Sequence, residues 1–242
     1  MDERSRRQQI NTAMPRQSTV SDVLSQLQAK ANPKNVEGMA KFGMTVKSRL
    51  GVSVPEMRKI AKAVGRDHRL AQLLWKTGIA EAQIVAALID DPTAVTSKQM
   101  DRWVKDFDSW DVCDQACLSL FDKSPLAWQK IPEWAEREEE FVRRAAFALI
   151  AGLAWHDKQA AETRFVHLFP ILMKGADDDR NYVKKAVSWA IRNIGKRNHK
   201  LNRAAVKLAK DIQRMDSKAA RWVAADALRE LQSEAIQRRL RA

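Results

Sequence analysis

The chain has 242 residues, of which 43 are Lys or Arg and 30 are Asp or Glu, so its formal net charge at pH 7 is +13. A hydrophobic fraction of 45% is typical of a folded chain and argues against a disordered basic one. The length suits one or two domains with a sizeable core. A charge of this size indicates a polyanionic partner, most often nucleic acid, with the ribosome and membrane headgroups as alternatives.

The positive charge is concentrated near the C-terminal end. Residues 180–242 contain 17 Lys and Arg but only 5 Asp and Glu, which accounts for nearly all of the net charge. An even solubilising coat would not show this distribution.

Cysteine usage and hydropathy indicate the compartment. Cys113 and Cys117 lie four residues apart among apolar neighbours and are predicted to be small buried thiols rather than a disulfide or a zinc site. A chain without a disulfide framework is typical of the cell interior. Residues 1–17 lack the apolar core of a signal peptide, and no apolar run reaches the ~20 residues that span a bilayer. We therefore expect a soluble cytoplasmic protein without a membrane partner.

The predicted elements are all helical. Residues 1–17 are predicted to be a disordered basic tail, and residues 18–242 a single helical domain. Gly (8) and Pro (7) are scarce, and no stretch alternates with the period of a strand. Polar breaks separate amphipathic stretches of about 10–16 residues, a usual helix length. The breaks are "ANPKN", "GVSVPE", "DDPTAVTSKQ", "DKSPLAW", "LFPILMKGADDDRN" and "GKRNHK".

Five of these stretches resemble one another. "AEAQIVAALI", "VCDQACLSLF", "VRRAAFALIAGLA", "VKKAVSWAIRNIG" and "RWVAADALREL" place small and bulky apolar residues at corresponding positions. The spacings between equivalent positions, 31, 30, 41 and 37 residues, are typical of two-helix repeats. The sequence predicts an all-α, HEAT-like (armadillo-type) solenoid with a concave basic binding face, with an irregular helical bundle as the alternative. The equivalent residues are Ile84, Gln115, Ala145, Ala186 and Val223.

One helix carries a tryptophan among cations, away from its apolar stripe. Lys185, Trp189, Arg192 and Lys196 follow one another at spacings of four, three and four residues. This pattern predicts a nucleic-acid-facing stripe, with cations on phosphates and the indole against a sugar or base. The alternative is an ordinary charged surface on which Trp189 fills a gap between helices.

Trp110 and Asp114 repeat this arrangement two repeats earlier, one helical turn apart. A carboxylate on a surface that binds polyanions repels its ligand. Asp114 is therefore predicted to have a specific local role in the site rather than to contribute to binding. The alternative is that Asp114 pairs with an arginine of the next repeat. Asp111 has a simpler explanation, because a first-turn carboxylate complements the helix dipole.

Other candidates come from neighbouring segments. Either Arg143 or Arg144 is expected to face the concave surface beside Asp114, unless both are ordinary solvated arginines. Nearer the N-terminus, Phe42, Lys47 and Arg58 are further candidates, although core packing explains Phe42 equally well.

The segments "SWDVCD", "RRAA", "YVKKAVSWAIRNIGKRN" and "GVSVPEMRKIAK" resemble the AlkD-type DNA alkylation repair proteins, which are HEAT-like DNA glycosylases. The resemblance runs through about residues 20–232. It implies that Trp110, Asp114 and Trp189 are active-site residues and that Arg144 and Arg192 accompany them. The family excises N3- and N7-alkylated purines without a deep base pocket.

One position departs from the family pattern. A tyrosine of some members corresponds to Phe42, whose missing hydroxyl puts any contact through that group in doubt. Phe42 is still expected to contact DNA.

The resemblance also implies a chemistry. A cationic alkylpurine leaves as a neutral base, so Asp114 need only stabilise the oxocarbenium-like sugar and orient the attacking water. Trp110 and Trp189 could hold the sugar between their π faces. The phosphates would be bound without sequence preference, by Arg144, Lys185, Arg192 and Lys196.

We therefore expect a monofunctional glycosylase that acts on duplex DNA, as a monomer associated with the nucleoid when bound to DNA, without a metal or cofactor. One alternative is a non-catalytic HEAT-repeat protein that binds branched or damaged DNA. Another is an adaptor for an acidic protein. The preferred adducts and the question of base flipping are left open.

Overall fold

The structure, a computed structural model, describes residues 17–241, and all regular structure in that range is helical. Apart from Gln17, the predicted N-terminal tail lies outside the described residues. The first half contains α1 (Val20–Gln28), α2 (Pro33–Lys41), α3 (Val54–Val64), α4 (His68–Trp75), α5 (Ala80–Ile89), α6 (Ser97–Lys105) and α7 (Trp110–Ser119). A 3₁₀ turn, Phe121–Lys123, precedes α8 (Ala127–Ala135), α9 (Glu140–His156), α10 (Glu162–Val166), α11 (Phe169–Ala176), α12 (Asn181–Gly195), α13 (His199–Gln213), α14 (Lys218–Leu231) and α15 (Glu234–Arg241).

Polar side chains cap the starts of several helices, two of them within the polar breaks of the sequence. Thr19 and Asp22 form a capping box at α1. The side chain of Asn32 accepts from two backbone N–H groups of α2, whose first residue is Pro33. The side chain of Asn198 accepts from the backbone N–H of Leu201 at the start of α13. These caps satisfy N–H groups that would otherwise lack intrahelical partners.

The helices stack as a solenoid. The inner helices α5, α7, α9, α12 and α14 contact one another in succession, and α4, α8, α11 and α13 each pack against the inner helix that follows. Each two-helix unit therefore buries its apolar face against the next unit, as repeat proteins do.

Small residues allow the inner helices to approach one another closely. Residues 144–154 of α9 are buried throughout, with α7 on one side and α12 on the other. Cys113 and Cys117 are buried as expected, and their Sγ atoms lie 3.8 and 3.7 Å from carbonyl oxygens of Phe141 and Ala145. Burial raises the pKa of the Cys117 thiol, so it acts as a small apolar side chain.

The eight tryptophans of the chain differ in how deeply they are buried. Trp75 and Trp103 stack at 3.8 Å between ring centroids, and these two rings and Trp134 are buried. Trp110 and Trp189 are only partly buried and lie on inner helices.

Within residues 17–241, no helix has the length and hydrophobicity needed to cross a bilayer.

Candidate active site

A cleft of about 570 Å³ lies across the inner helices α7, α9, α12 and α14. It brings together four residues that the sequence placed in one site, namely Trp110, Asp114, Arg144 and Trp189. Neither indole is sealed in the interior, and the carboxylate of Asp114 reaches the cleft. The cleft also contains Phe42, Lys185 and Arg192.

The repeat explains this convergence. Asp114, Arg144, Lys185 and Trp222 each precede one of the equivalent positions of the repeat by one residue. All four line the cleft. Because the inner helices stack in register, one position of the repeat supplies a side chain to the same surface from each of four helices.

Asp114 is held by Arg144 in a bidentate pair. The Nε of Arg144 donates to Oδ1 of Asp114 at 2.9 Å, and its Nη2 donates to Oδ2 at 2.7 Å. The Nη1 donates to the carbonyl oxygen of Tyr182 at 2.6 Å. Planar, charge-assisted pairing of this kind fixes the orientation of a carboxylate.

This arrangement changes the role expected for Arg144. The residue is only 6% exposed, and each terminal nitrogen of its guanidinium already donates within the protein. The sequence predicts a phosphate contact for Arg144, whereas its geometry favours the positioning of Asp114. The alternative stated from the sequence, that Asp114 pairs with an arginine of the next repeat, describes this contact.

Opposing effects set the ionisation of Asp114. Burial raises the pKa of its carboxyl group, and the charge and hydrogen bonds of Arg144 lower it, with a net rise above the ordinary aspartate value. Asp111 adds a smaller increase through like charge. Arg144 therefore supports the charged form in a site that disfavours charge.

The segment after α2 is fastened over the cleft by two aromatic side chains. The Nε1 of Trp110 donates to the carbonyl oxygen of Phe42 at 3.1 Å, and the hydroxyl of Tyr182 donates to that of Gly43 at 2.7 Å. Gly43 has φ of 72°, and an added Cβ would lie 2.1 Å from the Tyr182 hydroxyl. These contacts leave the ring of Phe42 74% exposed beside the cleft.

Asp111 has a specific partner as well as a favourable helix position. Arg49 donates to both of its carboxylate oxygens at 2.7 Å, and the Ser109 hydroxyl donates to Oδ1 at 2.6 Å. This buried pair fastens the start of α7 to the segment that follows α2.

The predicted cationic stripe of α12 is mostly neutralised. Arg192 pairs with Asp226 and, through Nε at 2.8 Å, with Glu230. Lys196 pairs with Glu230 at 2.7 Å and does not line the cleft. These acids lie one turn apart on α14, which packs beside α12. Arg192 and Lys196 are therefore paired within the protein and do not form the free cationic row that the sequence predicts. Among these cations only Lys185 is exposed without a salt bridge to the described residues.

Three further candidates lie elsewhere. Arg143 donates to Asp178 at 2.9 Å, outside the cleft. Lys47 borders a separate hollow beside Trp75, and Arg58 lines a groove next to the cleft.

Sequence reasoning missed Tyr182, Trp222 and Asp226, which also line the cleft. Trp222 is 39% exposed, with the Nζ of Lys184 5.7 Å from its ring centroid. The repeat register would have identified Trp222, since it occupies the position of Asp114. Tyr182 had a weaker signal, as the only tyrosine of the chain.

The chemistry available to the cleft is electrostatic. The carboxylate of Asp114, held by Arg144, lies in a cleft lined by aromatic rings that favour positive charge, so the site can stabilise a cation that forms at a fixed point. Within residues 17–241, no group of three or more His, Cys, Asp or Glu side chains is arranged to hold a metal ion.

Comparison with known proteins gives the family. The family described as "DNA alkylation repair enzyme" matches residues 23–231. A solved structure described as "A new family of proteins related to the HEAT-like repeat DNA glycosylases with affinity for branched DNA structures" is 19% identical, with a TM-score of 0.76 over 92% of this chain and 96% of that one. A designed armadillo repeat protein is 18% identical, with a TM-score of 0.33 over 73% of this chain and 92% of that one.

Among proteins of curated function, none matches this sequence significantly. The first structural match confirms the predicted all-α, HEAT-like solenoid, although a basic concave face stays a prediction. The family match covers most of the chain and agrees with the resemblance found in its motifs. The chain belongs to the DNA alkylation repair enzyme family.

Proposed function

We propose that the protein is a monofunctional DNA glycosylase that hydrolyses the N-glycosidic bond of cationic N3- and N7-alkylated purines in duplex DNA. The observation that carries this proposal is the carboxylate of Asp114, which Arg144 holds rigidly in a cleft lined by Trp110 and Trp189. A site that only bound phosphates would gain nothing from that charge.

The reaction needs little besides electrostatic stabilisation. An N7- or N3-alkylated purine carries a positive charge, so the base takes the bonding electrons and leaves neutral when the bond to C1′ breaks. The deoxyribose then becomes oxocarbenium-like. Asp114 stabilises that charge and takes the proton of the water whose oxygen bonds to C1′, then releases that proton to solvent, as carboxylates do in glycoside hydrolysis.

Aromatic rings complete the surroundings of the sugar. Trp110 and Trp189 line the cleft with Asp114, and Trp222 lies beyond them on α14. The negative faces of indole rings attract positive charge and exclude water from the reacting centre. Their combined effect strengthens as the sugar becomes cationic, which is the condition for lowering a barrier.

The cations of the cleft have two different roles, in positioning Asp114 and in binding phosphate. Arg144 keeps Asp114 charged and aligned, which makes it a positioning residue. Lys185, which is exposed and makes no salt bridge to the described residues, is the cleft cation best placed to contact a phosphate.

The charge requirement provides the test. Duplexes that contain N7-methylguanine, N3-methyladenine or the uncharged lesion O6-methylguanine are incubated with the protein, and the released bases are measured. We expect release of the two cationic bases and retention of O6-methylguanine. Equal release of the uncharged lesion, or no release of any base, would contradict the proposal.

A second candidate is a DNA-binding protein that releases no base. The internal pairing of Asp114 with Arg144 is compatible with a purely structural carboxylate. The structurally similar protein is described by its affinity for branched DNA. This candidate predicts tight, salt-sensitive binding of branched DNA that is indifferent to the substitution Asp114→Asn.

A further inference from the structure

A second groove, of about 620 Å³, adjoins the cleft, and Trp189 lines both. The groove is lined by the C-terminal ends of α7 and α9, by Arg58 of α3, and by Asn193, one turn after Trp189 on α12. It contains three cationic side chains and an exposed indole, contributed by Arg58, Arg66, Lys123 and Trp155. None of these four residues has a part in the proposed excision reaction.

Two of the three cations donate to backbone carbonyl oxygens, and none of the three forms a salt bridge with a described carboxylate. Arg66 donates to the carbonyl oxygen of Asp90 at 2.9 Å. Lys123 donates to the carbonyl oxygens of Ser119 at 2.7 Å and Leu118 at 3.2 Å, at the end of α7. No carboxylate in residues 17–241 forms a salt bridge with Arg58, Arg66 or Lys123, unlike the paired cations of α12.

The cations also act on one another. Desolvation lowers the pKa of Lys123, and the charges of Arg66 and Arg58 lower it further, while Asp122 opposes this change. Asp122 and Asp91 interact with this charge without forming a salt bridge to any of the three cations, and the net shift at Lys123 stays downward. A groove with three such cations attracts an anion such as a phosphodiester.

Trp155 gives the groove a stacking surface. Its side chain is 51% exposed, and the Nζ of Lys158 lies 5.3 Å from the ring centroid. His156 lines the same groove, and its Nδ1 is bonded to the buried carboxylate of Asp122, which fixes the imidazole. An indole left in water beside cations is typical of surfaces on which unpaired bases stack.

We propose that this groove binds one unpaired nucleotide of a DNA strand, with its phosphate between Arg58, Arg66 and Lys123 and its base on Trp155. A paired base is already stacked on both faces inside the duplex, so only an unpaired base can use the exposed ring. Because Trp189 borders both surfaces, the nucleotide belongs to the DNA bound at the cleft. The assignment depends on the DNA binding in the proposed function but not on base release.

The test compares two labelled duplexes that differ by one extra, unpaired nucleotide, with binding measured by fluorescence anisotropy. The wild type should bind the bulged duplex at least about five-fold more tightly, the lower range for one stacked base. Trp155→Ala should abolish that preference and leave the affinity for the paired duplex unchanged. Trp155→Phe, which keeps an aromatic face, should retain part of the preference.

The cations are tested by the salt dependence of binding. Because the three cations share one phosphate, the double variant Arg58→Ala/Arg66→Ala should reduce the slope of log K against log salt by up to roughly 0.7–0.9, the value for one phosphate contact, and each single variant should reduce it by less. Arg69→Ala is the matched control, because Arg69 is exposed on α4 and does not line the groove. Its slope should equal that of the wild type.

Several results would overturn the assignment. The wild type could bind the bulged and the paired duplex equally tightly. Its preference for the bulged duplex could survive in Trp155→Ala. The salt slopes of the Arg58 and Arg66 variants could equal that of Arg69→Ala. If the groove binds an unpaired ribonucleotide more tightly than an unpaired deoxyribonucleotide, the proposed DNA ligand is wrong and the ligand is RNA. If the wild type shows the Trp155-dependent preference but releases no base, the glycosylase proposal fails and this one stands.

Discussion

The guanidinium of Arg144 forms a bidentate salt bridge with the carboxylate of Asp114 on the neighbouring inner helix, with hydrogen bonds of 2.9 and 2.7 Å. A third hydrogen bond, to the carbonyl oxygen of Tyr182, fixes the guanidinium itself. The pair lies across α7, α9 and α12, so the carboxylate is positioned by three successive repeats. Such a group can respond to charge that develops in a substrate without moving.

Arg144 should determine the pH at which the site becomes active. Burial raises the pKa of Asp114 and Arg144 lowers it, so Arg144→Gln should raise that pKa further. Since the reaction needs the ionised carboxylate, the acid limb of kcat/KM for base release should move to higher pH. Arg144→Lys should move it less.

Arg143→Gln is the control for this profile, because Arg143 pairs with Asp178 outside the cleft. Its acid limb should match that of the wild type. An acid limb that stays in place in Arg144→Gln would show that the pair does not govern ionisation at the site.

The same substitution should be costly for stability. Arg144→Gln leaves Asp114 in a largely buried position without its charged partner, which typically costs about 3–5 kcal/mol in the free energy of unfolding. Urea denaturation followed by circular dichroism measures this change. A loss below 1 kcal/mol would be typical of a solvated surface pair and would contradict the burial of this one.

The lysines of α12 should differ in their contribution to DNA binding. Lys185→Ala should reduce the slope of log K against log salt by about 0.9, since Lys185 makes no salt bridge to the described residues. Lys196→Ala should reduce it by less, because Glu230 already neutralises that charge. Equal reductions would mean that the pairing with α14 breaks when DNA binds.

Two glycines in and just after α2 provide a matched pair. Gly43→Ala places a Cβ against the hydroxyl of Tyr182 at a positive φ, so it should destabilise the protein by about 1–3 kcal/mol. Gly38→Ala, inside α2 with open space around it, should be neutral or stabilising by up to about 1 kcal/mol. Thermal unfolding measures both, and similar effects from the two would contradict the close contact at Gly43.

The repeat pattern predicted the fold and much of the cleft. The small-residue periodicity identified the inner helices, and the outward positions of Trp110 and Trp189 followed from residues that do not fit an apolar stripe. The same repeat register also predicts Trp222 in the cleft, because Trp222 occupies the repeat position of Asp114. These features are local to one helix or repeat at a fixed spacing, which is why a sequence reveals them.

The pairings of the cations were beyond such reasoning. Arg192 and Lys196 appear on the sequence as free charges, and their neutralisation depends on Asp226 and Glu230, more than thirty residues away on α14. The choice between Arg143 and Arg144 likewise depends on which acid each side chain meets across the helix interface. Charge patterns give the sign of a surface, whereas the partners of each charge are set by packing.

The central claim is that Asp114 stabilises the sugar cation during base release, and one comparison tests it most directly. Release of N7-methylguanine from duplex DNA is measured under single-turnover conditions for the wild type, Asp114→Asn and Asp178→Asn, the last of which removes an acid paired with arginine outside the cleft. We predict a loss on the order of 100-fold in Asp114→Asn, with DNA binding retained, and a wild-type rate in Asp178→Asn. Equal rates for the wild type and Asp114→Asn would contradict the account.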